Sequence, residues 1–176
     1  MRALKLIAFL LPLLLILQSS RCKVAYNQSG KGGRDLKEDT VTISVMQFVN
    51  SAPLAKPTLA QTMTESLKDF IQRQTRFTMV PEDGDLNYEG EIVGYNVSPV
   101  AISAGTTDQA SLNRLTITVK MKYEDKIEDK YSFESNFSRF ADFPSSQDIS
   151  AVEDQLIKEI SDQITQDIIN KSIYAW

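Results

Sequence analysis

Residues 114–123 read RLTITVKMKY. Leu115, Ile117, Val119, Met121 and Tyr123 fall on one side of the alternation. Arg114, Thr116, Thr118, Lys120 and Lys122 fall on the other. A strict period of two is the period of an extended chain, so this segment is a strand with one apolar and one solvated face. A strand of this kind needs neighbours for its backbone groups and a second layer over its apolar side.

Downstream, Glu124–Asp129 is a charged turn and Lys130–Arg139 returns as a second strand. A hairpin folded at Ile127 pairs Met121 with Phe133 and Ile117 with Phe137, and sets Lys120 opposite Glu134. Upstream, Tyr88–Val97 reads as a strand in which Val93, Tyr95 and Val97 share a face. Gly90 and Gly94 lie on its other face, where a neighbour approaches closely or the strand bulges. Between these strands, Ser98–Leu112 is a long polar loop with the small-residue tip Ala104-Gly105-Thr106, and loops of this length are often functional. Farther upstream, Thr40–Val49 alternates Val41, Ile43 and Val45 with Thr42 and Ser44, which predicts another strand. Phe77–Val80 is a brief strand or a link, and Pro81-Glu82-Asp83-Gly84 is turn chemistry.

Two segments change period. Leu59, Met63, Leu67, Phe70 and Ile71 recur at helical spacing, predicting a helix over 58–74 with Thr58 and Gln61 at capping-box spacing. Ile149, Val152, Leu156, Ile160, Ile164 and Ile168 step by three and four, predicting a long amphipathic helix over 147–171. Ser150 and Glu153 offer a further cap signal near its start. Both helices must bury a stripe. The expected fold is therefore α+β in two layers, with two helices packed on one face of a four-stranded, mostly antiparallel sheet.

The chain has 176 residues, 42% of them apolar and 24% charged, enough for one packed domain. It contains no histidine, which removes Ser/His/Asp and Cys/His nucleophilic catalysis. Its one cysteine forms neither an internal disulfide nor a thiol-rich zinc site. Acidic clusters at Glu82-Asp83-Asp85 and Glu124-Asp125-Glu128-Asp129 read as solvated turns, without the spacing of a calcium loop. No cofactor or metal is expected, and no enzymatic activity.

Met1–Leu17 reads MRALKLIAFLLPLLLIL. Arg2 and Lys5 precede an apolar run that is too short to span a bilayer and fits a secretory signal peptide. Cys22 follows directly, where bacterial lipoproteins carry the cysteine that becomes the acylated N-terminus. Arg21 stands where that pattern has a small residue. The expected organisation is a signal peptide over 1–21, a lipidated N-terminus with a glycine-rich tether over 22–38, and a domain over 39–176. Removing Arg2, Lys5 and Arg21 from the 19 basic residues leaves 16 against 23 acidic, a net of about −7. So acidic a body argues against broad binding to nucleic acid or anionic membrane surfaces. Any anion site must be local, and Arg114, Lys120 and Lys122 on one strand face are the candidates, weighed against a solvated face partly paired with Glu134.

The ordered marks of the mature chain resemble an LptE-type lipopolysaccharide-assembly lipoprotein. They begin with Cys22-x-Val24-x-Tyr26, Gly30, and the Val41/Ile43/Val45 strand with Phe48 and Asn50. Next come Asp85-Leu86-x-x-Glu89-Gly90-x-Ile92 and Asn113-Arg114-Leu115-Thr116-Ile117. The strand end Phe137–Pro144, the Glu- and Ile-rich helix and Trp176 complete them. The resemblance implies an outer-membrane lipoprotein on the periplasmic side. Its implied partners are an LptD-like β-barrel, which it plugs and helps assemble, and lipopolysaccharide, which it helps deliver to the outer leaflet. It also implies that Ser98–Leu112 lies where the family enters the barrel. The alternative class is an unrelated periplasm-facing lipoprotein acting as a ligand-binding module.

Overall fold

The alternation that marks 114–123 extends to both sides in the computed structural model, which describes Leu36 and residues 40–100 and 111–174. The leader, Cys22, the tether apart from Leu36, residues 101–110 of the long loop, and Trp176 lie outside the described residues.

The elements follow the order β1 (Thr42–Val45), β2 (Val49–Asn50), α1 (Leu59–Gln74), β3 (Thr78–Val80), β4 (Leu86–Val100), β5 (Leu112–Asp125), a 3-10 turn (Asp129–Tyr131), β6 (Phe133–Pro144) and α2 (Ile149–Ser172). The sheet has six strands in the order β3-β1-β4-β5-β6, with β2 also on β4. It is mixed, which corrects the expectation of four mostly antiparallel strands. β4, β5 and β6 are antiparallel, whereas β1 pairs in parallel with both β3 and β4, and β2 in parallel with β4. The physical cause is the helical crossover: α1 carries the chain back so that β3 starts beside β1 in the same direction. The expected single strand 40–49 breaks after Val45, where Phe48 turns into the core and donates its backbone N–H to Thr64 Oγ1 at 3.0 Å.

Both helices cover one face. Leu59, Met63, Leu67 and Ile71 of α1, and Leu156, Ile157, Ile160, Ile164 and Ile168 of α2, join one buried cluster with Leu86, Tyr88, Ile92, the β5 residues Leu115, Ile117, Val119, Met121 and Tyr123, and Ala141 and Phe143. Burying an aliphatic side chain of this kind contributes roughly 1.5–3 kcal/mol, so this shared cluster is the main source of cohesion. Polar ties fix α2 on the sheet. Tyr88 Oη and Ser172 Oγ lie 2.9 Å apart, and Tyr95 donates its hydroxyl to Glu153 at 2.6 Å. Burial and the neighbouring Glu153 carboxylate push the Tyr95 hydroxyl pKa well up.

Three local expectations change. The hairpin register is two residues from the one predicted: Tyr123 pairs with Phe133 and Lys122 with Glu134. The connection is longer because Asp125 accepts the N–H groups of Ile127 and Glu128 and a 3-10 turn follows. Second, β4 slips at Val93: Gly90 and Ile92 face the helices before the slip, and Tyr95 and Val97 pair with Ile117 and Leu115 after it. Gly94 thus marks the bulge and Gly90 the close approach, on opposite faces. Third, neither capping box forms. Thr58 makes no side-chain cap bond, and α2 is capped by Asp148, whose carboxylate accepts from Ser150 N at 2.9 Å.

Candidate functional site

Among the described residues, no element packs on the face of the sheet turned away from the helices. Arg114, Lys120 and Lys122 of β5 project from it, as the alternation requires, because every β5 residue between them on the opposite side is buried. Each predicted cation meets a carboxylate from a neighbouring strand. Arg114 makes a forked contact with Asp142, Nε to Oδ1 at 2.7 Å and Nη2 to Oδ2 at 2.9 Å. Its guanidinium carbon also lies 3.6 Å from the centre of the Phe140 ring. Lys120 reaches Glu134 at 2.5 Å and Lys122 reaches Glu89 at 3.3 Å. Lys120 and Lys122 are adjacent on this face, while Arg114 lies farther along β5, with Thr118 bonded to Ser138 at 3.0 Å between them.

The charges respond to this pairing. The hydrogen bond to Asp142 raises the Arg114 pKa and lowers that of Asp142. The bond from Lys120 holds the Glu134 carboxyl below its usual range and raises Lys120 in turn. Val49, Glu89, Gly90, Glu91, Lys120, Lys122 and Glu134 line an open depression of about 280 Å³ over the two lysines. It is shallow, charged and exposed, unlike the mostly apolar concavities that enclose small ligands. Sequence reasoning found the three cations but missed Glu89, Phe140 and Asp142. The expected return strand ended at Arg139, short of Phe140 and Asp142, and the slip at Val93 separates Glu89 from the face of Tyr95 and Val97, so only the observed register places all three beside the basic residues.

The two acidic clusters serve local structure. Asp85 accepts from Thr42 N at 2.8 Å and Thr42 Oγ1 at 2.7 Å, and these bonds lower its pKa. Asp83 pairs with Lys126. Asp125 organises the β5–β6 turn and accepts from Tyr123 Oη at 3.0 Å. Among the described residues no group of three or more metal-ligating side chains gathers, and no helix is long and apolar enough to cross a membrane.

The geometry defines a two-layer α+β domain with an ionic outer sheet face. A family model described as lipopolysaccharide-assembly, LptE, matches residues 40–172, and the chain belongs to that family. No curated protein matches the sequence significantly. Among solved structures, a Xanthomonas campestris protein is similar with a TM-score of 0.53 at 8% identity, covering 78% of this chain and 86% of its own. A minor lipoprotein from Acinetobacter baumannii gives 0.48 at 14% identity, covering 77% and 93%. The rare lipoprotein B from Shewanella oneidensis gives 0.45 at 13%, covering 73% and 91%.

Proposed function

We propose that the chain is an outer-membrane lipoprotein that partners an LptD-like β-barrel as a plug and assembly factor and helps deliver lipopolysaccharide to the outer leaflet. The observation that carries this reading is the family match over residues 40–172, which takes in every helix and strand described. In it, residues 1–21 are a signal peptide, Cys22 bears the lipid, residues 22–38 are the tether, and the domain over 39–176 works on the periplasmic side. The role is one of binding and assembly, without catalysis or a cofactor. A small rigid domain with a polar outer surface suits the polar interior of a large barrel.

Within this reading Arg114, Lys120 and Lys122 meet the phosphates of lipopolysaccharide. Exposed ion pairs hold weakly because water screens them, so a phosphate group can take the place of Asp142, Glu134 or Glu89. The double variant Arg114→Glu with Lys120→Glu is expected to weaken lipopolysaccharide binding on the order of tenfold or more. A titration with purified lipopolysaccharide checks it, with the melting midpoint as control for the fold. Unchanged affinity would return these residues to an ordinary solvated sheet face.

A further inference from the structure

The two ends of the sheet differ. One edge is β3, three residues followed by Pro81. The other is β6, which pairs with β5 without a bulge along its full length. Its only proline is the last residue, Pro144. Ser145 N bonds to Ser111 O at 2.9 Å in the continuation of the same register. In an antiparallel ladder this fixes which residues bond to the neighbour: the odd-numbered residues of β6 bond to β5, and the even-numbered ones turn their N–H and C=O groups outward. Among the described residues, the backbone groups of Glu134, Asn136, Ser138, Phe140 and Asp142 have no other partner.

Charged residues on an edge usually repel an incoming strand. Here each one is already matched inside the chain: Glu134 by Lys120, Asp142 by Arg114, and Arg139 by Asp167 at 2.5 Å. Phe140, 48% exposed, sits among them. The edge is thus long, regular, neutralised and partly apolar, the features that favour strand addition.

We propose that β6 pairs antiparallel with β6 of a second copy of this chain, about a two-fold axis at Phe137. The strand is complementary to itself in that register. Glu134 lies opposite the partner's Phe140, whose ring carries the partner's Arg114, so a carboxylate meets a guanidinium. Asn136 lies opposite the partner's Ser138, and the two Phe137 rings meet on the helix-covered side. These even-numbered pairs are the ones whose backbone groups point outward. Centring the axis on Ser138 instead would set Glu134 against the partner's Asp142, a like-charge pair. This pairing is a property of the chain alone and does not depend on the barrel reading.

The test is sedimentation equilibrium of the full chain in density-matched detergent, beside Ser138→Pro. Proline removes an N–H that points away from β5, so the fold is expected to keep its melting midpoint while the dimer is lost. Separately, Phe137→Cys is expected to form a disulfide-linked dimer under mild oxidation, because residues facing each other at a non-hydrogen-bonded position lie within disulfide reach. Glu159→Cys, on the exposed side of α2, and the unsubstituted chain are the controls. If Ser138→Pro fails to fold, the Phe137→Cys crosslink decides. A wild-type chain that stays monomeric would overturn the proposal, as would a dimer that persists in folded Ser138→Pro or a Phe137→Cys chain that does not crosslink.

Discussion

Replacing Gly90 with alanine is expected to destabilise the fold by about 1–3 kcal/mol, the range for forcing extra atoms into a filled core. Alanine in place of glycine normally favours a strand, because glycine loses more backbone freedom on folding. The sign reverses here because of Phe48. A Cβ built on Gly90 would fall 2.6 Å from Phe48 Cζ and closer still to Cδ1 and Cε1. The ring has little room to retreat. Phe48 is buried, its N–H is held by Thr64, and it lies in the break between β1 and β2. Phe48→Ala alone is expected to cost about 3–5 kcal/mol. With the ring gone, Gly90→Ala should become neutral or slightly stabilising. Urea unfolding of the two single variants and the double variant measures this coupling. Additive losses would show that Phe48 and Gly90 do not constrain each other.

Cys22→Ala is expected to release the mature protein from the membrane to the soluble periplasm. Each buried CH₂ of an acyl chain contributes about 0.8 kcal/mol, so several chains hold a small domain on a bilayer and their loss removes nearly all of that affinity. The acidic body is repelled by anionic lipid surfaces rather than drawn to them. Fractionation of cells lacking the barrel partner is the clean measurement, because it separates anchorage by lipid from retention by protein. Retention of Cys22→Ala in the membrane of such cells would contradict the anchor. The same measurement on the unsubstituted chain reports how efficiently processing tolerates Arg21.

The sequence and the structure agree where a signal is local. The β5 alternation needs no partner to be read, and all five of its predicted inward residues are buried. The long stripe of α2 is equally plain, since helical spacing is set by neighbours three and four residues away. Disagreement begins where pairing is decided at a distance. Nothing in Phe77–Val80 says that it lies in parallel beside β1, because that contact is made only after α1 has turned the chain around. The hairpin kept its faces but slipped by two residues, since periodicity fixes which side a residue faces and not which residue it meets. That slip also hid part of the candidate site. Lys120 does pair with Glu134, but diagonally, and the fork between Arg114 and Asp142 follows only from the observed register. Gly90 and Gly94 were both legible as special positions. Their different tasks, one under an aromatic ring and one at a bulge, required the neighbouring strands.

The role proposed for this member of the LptE family is that of lipid-anchored partner to a large outer-membrane β-barrel. Affinity purification of the tagged chain from detergent-solubilised outer membranes, followed by mass spectrometry, tests it most directly. A large β-barrel protein is expected to be recovered in stoichiometric amount with the chain. Recovery of the lipidated chain without any such barrel would contradict the claim, leaving the fold and the anchor but removing the assembly role.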